Sequence, residues 1–258
     1  MRGVTIEGTL VHSEGVSEGD GRRVTLTSRC DTVWSMGMIT KPEFSLAVFD
    51  LDGTLVELEL EHFIDHAIAV TTRLGFAVPT RERIHHLMRS HSIEELFPPE
   101  ARESAIREYW HAYDARQIPA PRLIEGALAT LEDMVSRGFD LAIATARSVH
   151  ADELREILRP TGIIHHVEFL STWWKTGWTE KREQLFGLCR EHRVEPGQAI
   201  MVGDSIDDMR SAGACGFGLR IGLLQGMHTH EVLESARPDY LVHSVTEVPS
   251  VLDRHKGR

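Results

Sequence analysis

The sequence has little cysteine: three residues in 258, at Cys30, Cys189 and Cys215, with no closely spaced pair. An odd, widely separated set excludes a disulfide framework and a four-thiol zinc site, and it suits a reducing compartment. No run of about 18 apolar residues is present, so no membrane-spanning helix is expected. Cations are also short. Lys plus Arg number 28 against 39 Asp plus Glu, a formal net charge of -11. A broad grip on nucleic acid rests on clustered cations, so nucleic acid is not an expected partner, although a local anion pocket is still allowed. The N-terminal stretch MRGVTIEGTLVHSEG carries Glu7 and Glu14 and lacks the basic-then-apolar pattern of a secretory signal. The cytoplasm is the expected location. What is present, 41% hydrophobic and 26% charged residues, is the composition of a folded globular chain. At roughly 150 residues per domain the length suits one to two domains.

Residues 1–40 stand apart. VHSEGVSEGDGRR is polar and Gly-rich without a useful period, so this part is expected to be a disordered or non-core extension. Met36 and Met38 fall just before the first core element and are candidate translation starts. From Phe44 the pattern changes to apolar runs that end at a polar residue. FSLAVFD (44–50), VEFLST (167–172) and DYLVH (239–243) read as buried strands, as do FDLAIAT (139–145), AIMVGD (199–204) and FGLRIGL (217–223). Helical spacing lies between most of them. One helix is predicted over 123–135, stopped by Gly138; a second over 149–158, capped by Ser148; a third over 180–192, capped by Thr179. Strands alternating with helices predict an α/β fold, a parallel Rossmann-like sheet with helices on both faces. The interval 56–119 breaks the alternation. It reads as helices over about 57–75, 80–89 and 99–117, punctuated by prolines. The predicted organisation is therefore an α/β core of 41–55 plus 120–258, with a small all-helical second domain over 56–119 inserted after the first core strand.

In such sheets ligands sit at the carboxyl ends of the strands. Those ends carry Asp50, Thr145 and Asp204. Asp50-Leu51-Asp52-Gly53-Thr54 places two carboxylates at i and i+2, expected to face the same way, and Gly53 permits a tight turn. Paired acids there can hold Mg²⁺ or supply a nucleophile and a proton donor; a solvated turn is the plainer alternative. Gly203-Asp204-Ser205-Ile206-Asp207-Asp208 follows a second apolar strand, with Gly203 and Ser205 leaving room for a metal. Several acids at one end of a buried sheet repel each other unless a cation joins them, so a divalent ion is the physical expectation. Thr145 and the following N–H of Ala146 can hold an anionic oxygen. Lys181, or its neighbour Lys175, can balance charge.

DLDGT at 50–54, then Thr145, Lys181 and GDSIDD at 203–208, resembles in its order the haloacid dehalogenase superfamily, over about residues 44–255. The entry into 56–119 is similar to that of phosphoglycolate-phosphatase-like members with a helical cap. The resemblance implies a Mg²⁺-dependent phosphatase that acts on a small phosphorylated metabolite through an aspartyl-phosphate. Under it Asp50 would be the nucleophile and Asp52 the proton donor and later the activator of water. Asp50, the main-chain carbonyl of Asp52, and Asp204 would hold Mg²⁺. Thr145, Ala146 and Lys181 would bind the phosphoryl group. Gly53, Ser205 and Asp208 would support the site, and His62 would be a substrate contact at the cap entry. A phosphomutase of the same family, or a non-catalytic binding or regulatory protein on this scaffold, are the alternatives. A dehalogenase is disfavoured because Asp52 is present. The run STWWKTGWTEK departs from a plain loop. Trp173, Trp174 and Trp178 either pack in the core or an interface, or wall an apolar part of the substrate. The pairs His62/His66 and His228/His230 are read as structural rather than metal-binding.

Overall fold

The computed structural model describes residues 43–112, 120–173 and 181–256. The extension 1–40, Trp174, Lys175, Trp178 and Thr179 lie outside the described residues. Six parallel strands form one sheet, in the order β3-β2-β1-β4-β5-β6. They are β1 Leu46–Phe49, β2 Asp140–Thr145, β3 Phe169–Thr172, β4 Ala199–Gly203, β5 Leu219–Leu223 and β6 Tyr240–Val242. The chain winds outward from β1 to β3, then crosses back to β4 on the other side of β1. The winding direction thus reverses between β1 and β4, which opens a crevice at their carboxyl ends.

Period-two geometry explains why these strands are apolar throughout. Ala47, Phe49, Leu141, Ile143, Ile200 and Val202 join the core on one face. Leu46, Val48, Ala142, Ala144, Ala199 and Met201 join the core on the other. Both faces are covered, so neither set of alternate residues can be polar. In register, Phe49 lies opposite Ile143 on one side and Val202 on the other. The residues that follow these strands therefore leave the sheet at nearly the same level.

Between β1 and β2 the chain forms α1 Leu60–Arg73, α2 Arg81–Arg89 and α3 Arg102–His111, with a 3-10 turn at Ile93–Leu96. Ile64, Ala67, Val70, Ile84, Leu87, Phe97 and Tyr109 give this insert an apolar cluster of its own. Thr80 caps α2, its Oγ1 accepting from Arg83 N at 3.2 Å. The two linkers to the sheet pair with each other: Glu57 N donates to Arg122 O at 2.8 Å and Ile124 N to Leu55 O at 3.0 Å.

This pairing changes one expected helix. The element anticipated over 123–135 is α4 Ala127–Ser136. Leu123 lies in an antiparallel bridge with Val56, because the returning linker must satisfy the outgoing one. Around the sheet follow α5 Ala151–Leu158, α6 Lys181–His192, α7 Ile206–Cys215, α8 His230–Ser235 and α9 Val248–Lys256. Ser148 does not cap α5. The residue before that helix is His150, without a side-chain cap, and the preceding segment carries Arg147 across the crevice instead. No helix among the described residues is long and apolar enough to cross a membrane.

Candidate active site

Asp50 follows β1 directly, its N–H bonded to Val202 O at 2.9 Å. Its Oδ1 accepts from Lys181 Nζ at 2.5 Å. Lys181, the first residue of α6, also pairs with Asp208 Oδ1. Asp208 sits in the first turn of α7, where it and Ser205 form a capping box: Ser205 N donates to Asp208 Oδ2 at 3.0 Å and Asp208 N to Ser205 Oγ at 3.2 Å. The S-x-x-D spacing in the sequence is the local signal for that cap. Asp204 accepts from Met227 N at 2.6 Å on Oδ2 and from Thr54 Oγ1 at 3.2 Å on Oδ1.

Two glycines let the backbone close around Asp204. Gly53 has φ of 81°, and a Cβ there would collide with Asp204 Oδ2. A Cβ on Gly226 would strike the same oxygen.

Asp50, Asp204 and Asp208 are all buried, and each offers a carboxylate oxygen within 4.8 Å of the others. Burial, with the Asp208 charge beside it, pushes the Asp204 carboxyl up to about 7. Burial likewise raises Asp50, against the pull of Lys181. One lysine against three buried carboxylates leaves an excess of negative charge. Hard oxygen donors in that number fit a divalent cation such as Mg²⁺. The third carboxylate of the cluster is Asp208, expected only as support. The Asp52 side chain is not part of it.

Asp52 opens onto the same cavity as Asp50 but stands outside the carboxylate cluster. Arg147 reaches across from the end of β2 and grips it with two bonds, Nε to Oδ2 at 2.9 Å and Nη2 to Oδ1 at 2.6 Å. Asp52 lies beyond the end of β1, and this pair ties it to the end of β2. The pairing of Arg147 with Asp52 joins residues 95 apart in sequence, and only TAR after an apolar strand hinted at it. Thr145 Oγ1 accepts from Arg147 N at 3.2 Å, and Gln184 Nε2 donates to Thr145 O at 3.0 Å. Thr145 and Ala146 open onto the same cavity as Asp50, Asp52, Lys181 and Asp204.

That cavity has a volume of about 670 Å³ and lies between the sheet end and the insert. His62 is not among its lining residues, but its ring stands edge-on to that of the lining Phe63, centroids 6.2 Å apart; His66 bonds through Nε2 to Tyr109 O at 2.7 Å. Phe63, His91, Tyr109, Trp110 and His228, none anticipated as site residues, do line it. Adjacent aromatics at the end of α3 were the available signal.

His228 has a definite structural job. Its Nδ1 accepts from Ile206 N, at the start of α7, at 3.0 Å. Burial, with His91 nearby, pulls its pKa down to about 4. Protonation would remove the acceptor. The unfolded chain binds that proton more readily, so the contribution of His228 is present above about pH 6.5 and lost as pH falls toward 4, by on the order of 2–3 kcal/mol. His228→Asn keeps an acceptor that does not titrate. In urea unfolding followed from pH 7 to 4, the native protein should lose stability relative to this variant. Parallel curves would show that His228 does not act as a neutral acceptor.

A model of haloacid dehalogenase-like hydrolases matches residues 47–219. The phosphoglycolate phosphatase of Vibrio vulnificus is 26% identical over 236 residues, which cover 83% of this chain and 98% of that protein. The 5'-nucleotidase of Pseudomonas aeruginosa is 26% identical over 227 residues, covering 81% and 95%. Among solved structures, a haloacid dehalogenase-like family hydrolase from Streptococcus pneumoniae aligns with a TM-score of 0.63 at 24% identity, over 81% of this chain and 99% of that one. The last likeness speaks for the fold alone. With the family match spanning most of the chain and the buried acids at the switch of the sheet, this chain belongs to the haloacid dehalogenase-like hydrolase family and is a phosphatase of that family.

Proposed function

We propose that the protein hydrolyses a small phosphorylated metabolite with Mg²⁺ as cofactor, through a phosphoryl group carried on Asp50. The observation that carries this reading is the position of Asp50: buried, at the carboxyl end of β1, with Lys181 on one oxygen and no described residue donating to the other. That second oxygen is the nucleophile in an in-line displacement. Lys181 balances charge on the transferred group while Asp208 holds the lysine in place. Thr145 and the N–H of Ala146 bind phosphoryl oxygens at the strand end. Asp50, Asp204 and the main-chain carbonyl of Asp52 would hold the Mg²⁺, with Asp208 beside them. The ion would draw charge off the phosphoryl oxygens as a Lewis acid.

Asp52 protonates the leaving oxygen and then takes a proton from the attacking water. Arg147 fixes the carboxyl at the edge of the cavity, and one of its two bonds must open for the proton to pass. The insert, 56–119, acts as a cap that shields the reaction from water. A reducing, cytoplasmic setting suits the buried free thiols Cys189 and Cys215.

The test is phosphate release from an alkyl phosphate and a nitrophenyl phosphate with Mg²⁺; release from neither rejects the reading. Asp52→Asn then checks the proton donor. An alkoxide leaves poorly without a proton and a nitrophenolate leaves well. The variant should slow phosphoenzyme formation from the alkyl ester about 10²–10⁴-fold and that from the aryl ester far less. Single turnovers are needed, because the same residue acts in the second step. Equal slowing of both esters would make Asp52 structural.

A further inference from the structure

We infer that the substrate is the phosphate monoester of an uncharged, ring-bearing alcohol, whose ring lies against the helical insert; this rests on the phosphatase reading above. The two sides of the cavity differ in chemistry. The sheet side holds both lining residues with a permanent cation, Lys181 and Arg147, and each is already paired with a carboxylate. The insert side contributes Phe63, Met88, Ile93, Ile106, Tyr109 and Trp110, with His91 facing Asp207, its Nε2 3.9 Å from Oδ1. No lysine or arginine of the insert is in the lining among the described residues, and the one carboxylate there is Glu94. Burial pushes the Tyr109 phenol well above its ordinary range, so that wall gains no charge from it near neutral pH. Trp110 of the insert meets Trp173, just past β3, edge-on with ring centroids 6.3 Å apart. The aromatic boundary therefore continues from the insert to the sheet.

A two-carbon acid on the phosphate would leave this wall uncovered. Its carboxylate would face apolar side chains and Glu94, with no lysine or arginine of the insert beside it among the described residues, which is costly for a desolvated charge. A ring covers the wall and brings no charge. Aromatic groups bury large areas and gain further from edge and stacked contacts. The size agrees: cavities for small organic ligands run about 300–1,000 Å³, and this one is about 670 Å³.

Three esters with alcohol leaving groups separate the contributions: ethyl phosphate has neither ring nor charge, phenylethyl phosphate adds the ring, and phosphoglycolate adds the carboxylate. With the full chain and Mg²⁺, kcat/KM for phenylethyl phosphate should exceed that for ethyl phosphate about a hundredfold. Phosphoglycolate should fall below ethyl phosphate about tenfold or more. Trp110→Ala should lower the phenylethyl-to-ethyl ratio about tenfold. Ile93→Lys, at a half-buried position on the rim of the insert's apolar cluster, is the second variant and should raise the phosphoglycolate-to-ethyl ratio by a similar factor. Phosphoglycolate equal to or better than phenylethyl phosphate, or a phenylethyl-to-ethyl ratio near one, would overturn the inference while leaving the phosphatase reading intact. No phosphate from any of the three, nor from nitrophenyl phosphate, would reject the phosphatase reading and this inference with it.

Discussion

Asp50→Asn should abolish turnover of alkyl and nitrophenyl phosphates alike, by at least about ten-thousandfold, since no other group is placed to take the phosphoryl. The substitution preserves shape and should leave the fold intact. Lys181 keeps Asp208 as a partner, so it is not stranded as a lone buried cation. Burial already penalises the Asp50 carboxylate. Exchanging it for a neutral amide should therefore hold or raise the melting temperature of the cation-free protein. Loss of activity with unchanged or higher thermal stability identifies a chemical role. Activity within tenfold of the native protein would remove Asp50 from the mechanism, and a melting temperature several degrees lower would show that Asp50 serves the fold.

Removing divalent cations should have an effect of similar size, with a second readout in stability. In chelator, phosphate release should fall at least about a thousandfold, and added Mg²⁺ should restore it. Because the Asp204 carboxyl is pushed up to about 7 without a cation, its contribution to stability has a definite sign. A carboxyl raised in the folded state is favourable when protonated and unfavourable when ionised. The cation-free protein should lose stability as pH rises from the ordinary carboxylate value toward 7. Mg²⁺ competes with that proton, so its affinity should increase over the same interval. A ligand at a hundred times its Kd adds about 2.7 kcal/mol, which corresponds to a rise of about 5–10 °C in Tm for a chain of this size. Asp204→Asn should shift the Mg²⁺ dependence of both activity and Tm to much higher concentrations. Full activity in chelator, or a Tm indifferent to Mg²⁺ at pH 8, would contradict the cation site.

The parts of this protein that were readable in the sequence are those whose cause is local. A strand buried on both faces must be apolar at every position, so β1 and β4 announced themselves. The acids that end them, Asp50 and Asp204, were visible for the same reason. The resemblance in motif order singled out Lys181, and the structure places it on Asp50. Other features depend on which distant segments meet. The bidentate hold of Arg147 on Asp52 needs β2 beside β1 in register. The start of α4 at Ala127 depends on the linker Leu123 pairing with Val56. The aromatic wall arises because the end of α3 brings Trp110 to Trp173, the residue after β3. His62 illustrates the converse. Its position near the first motif suggested a contact, and the residue of α1 that lines the cavity is its neighbour Phe63. Periodicity places residues on a helix face; only packing decides which face meets the site.

The central claim is that Asp50 carries the phosphoryl group, and the most direct measurement is to trap it. The protein is mixed with nitrophenyl phosphate, whose leaving group needs no proton, and Mg²⁺, quenched in acid within a turnover, reduced with borohydride and mapped by mass spectrometry. Borohydride converts an acyl phosphate on aspartate to homoserine. The account predicts homoserine at position 50 in the native protein, more of it in Asp52→Asn where water attack is slowed, and none in Asp50→Asn. Homoserine at any other aspartate, or rapid turnover with no modification at position 50 in either the native protein or Asp52→Asn, would contradict it.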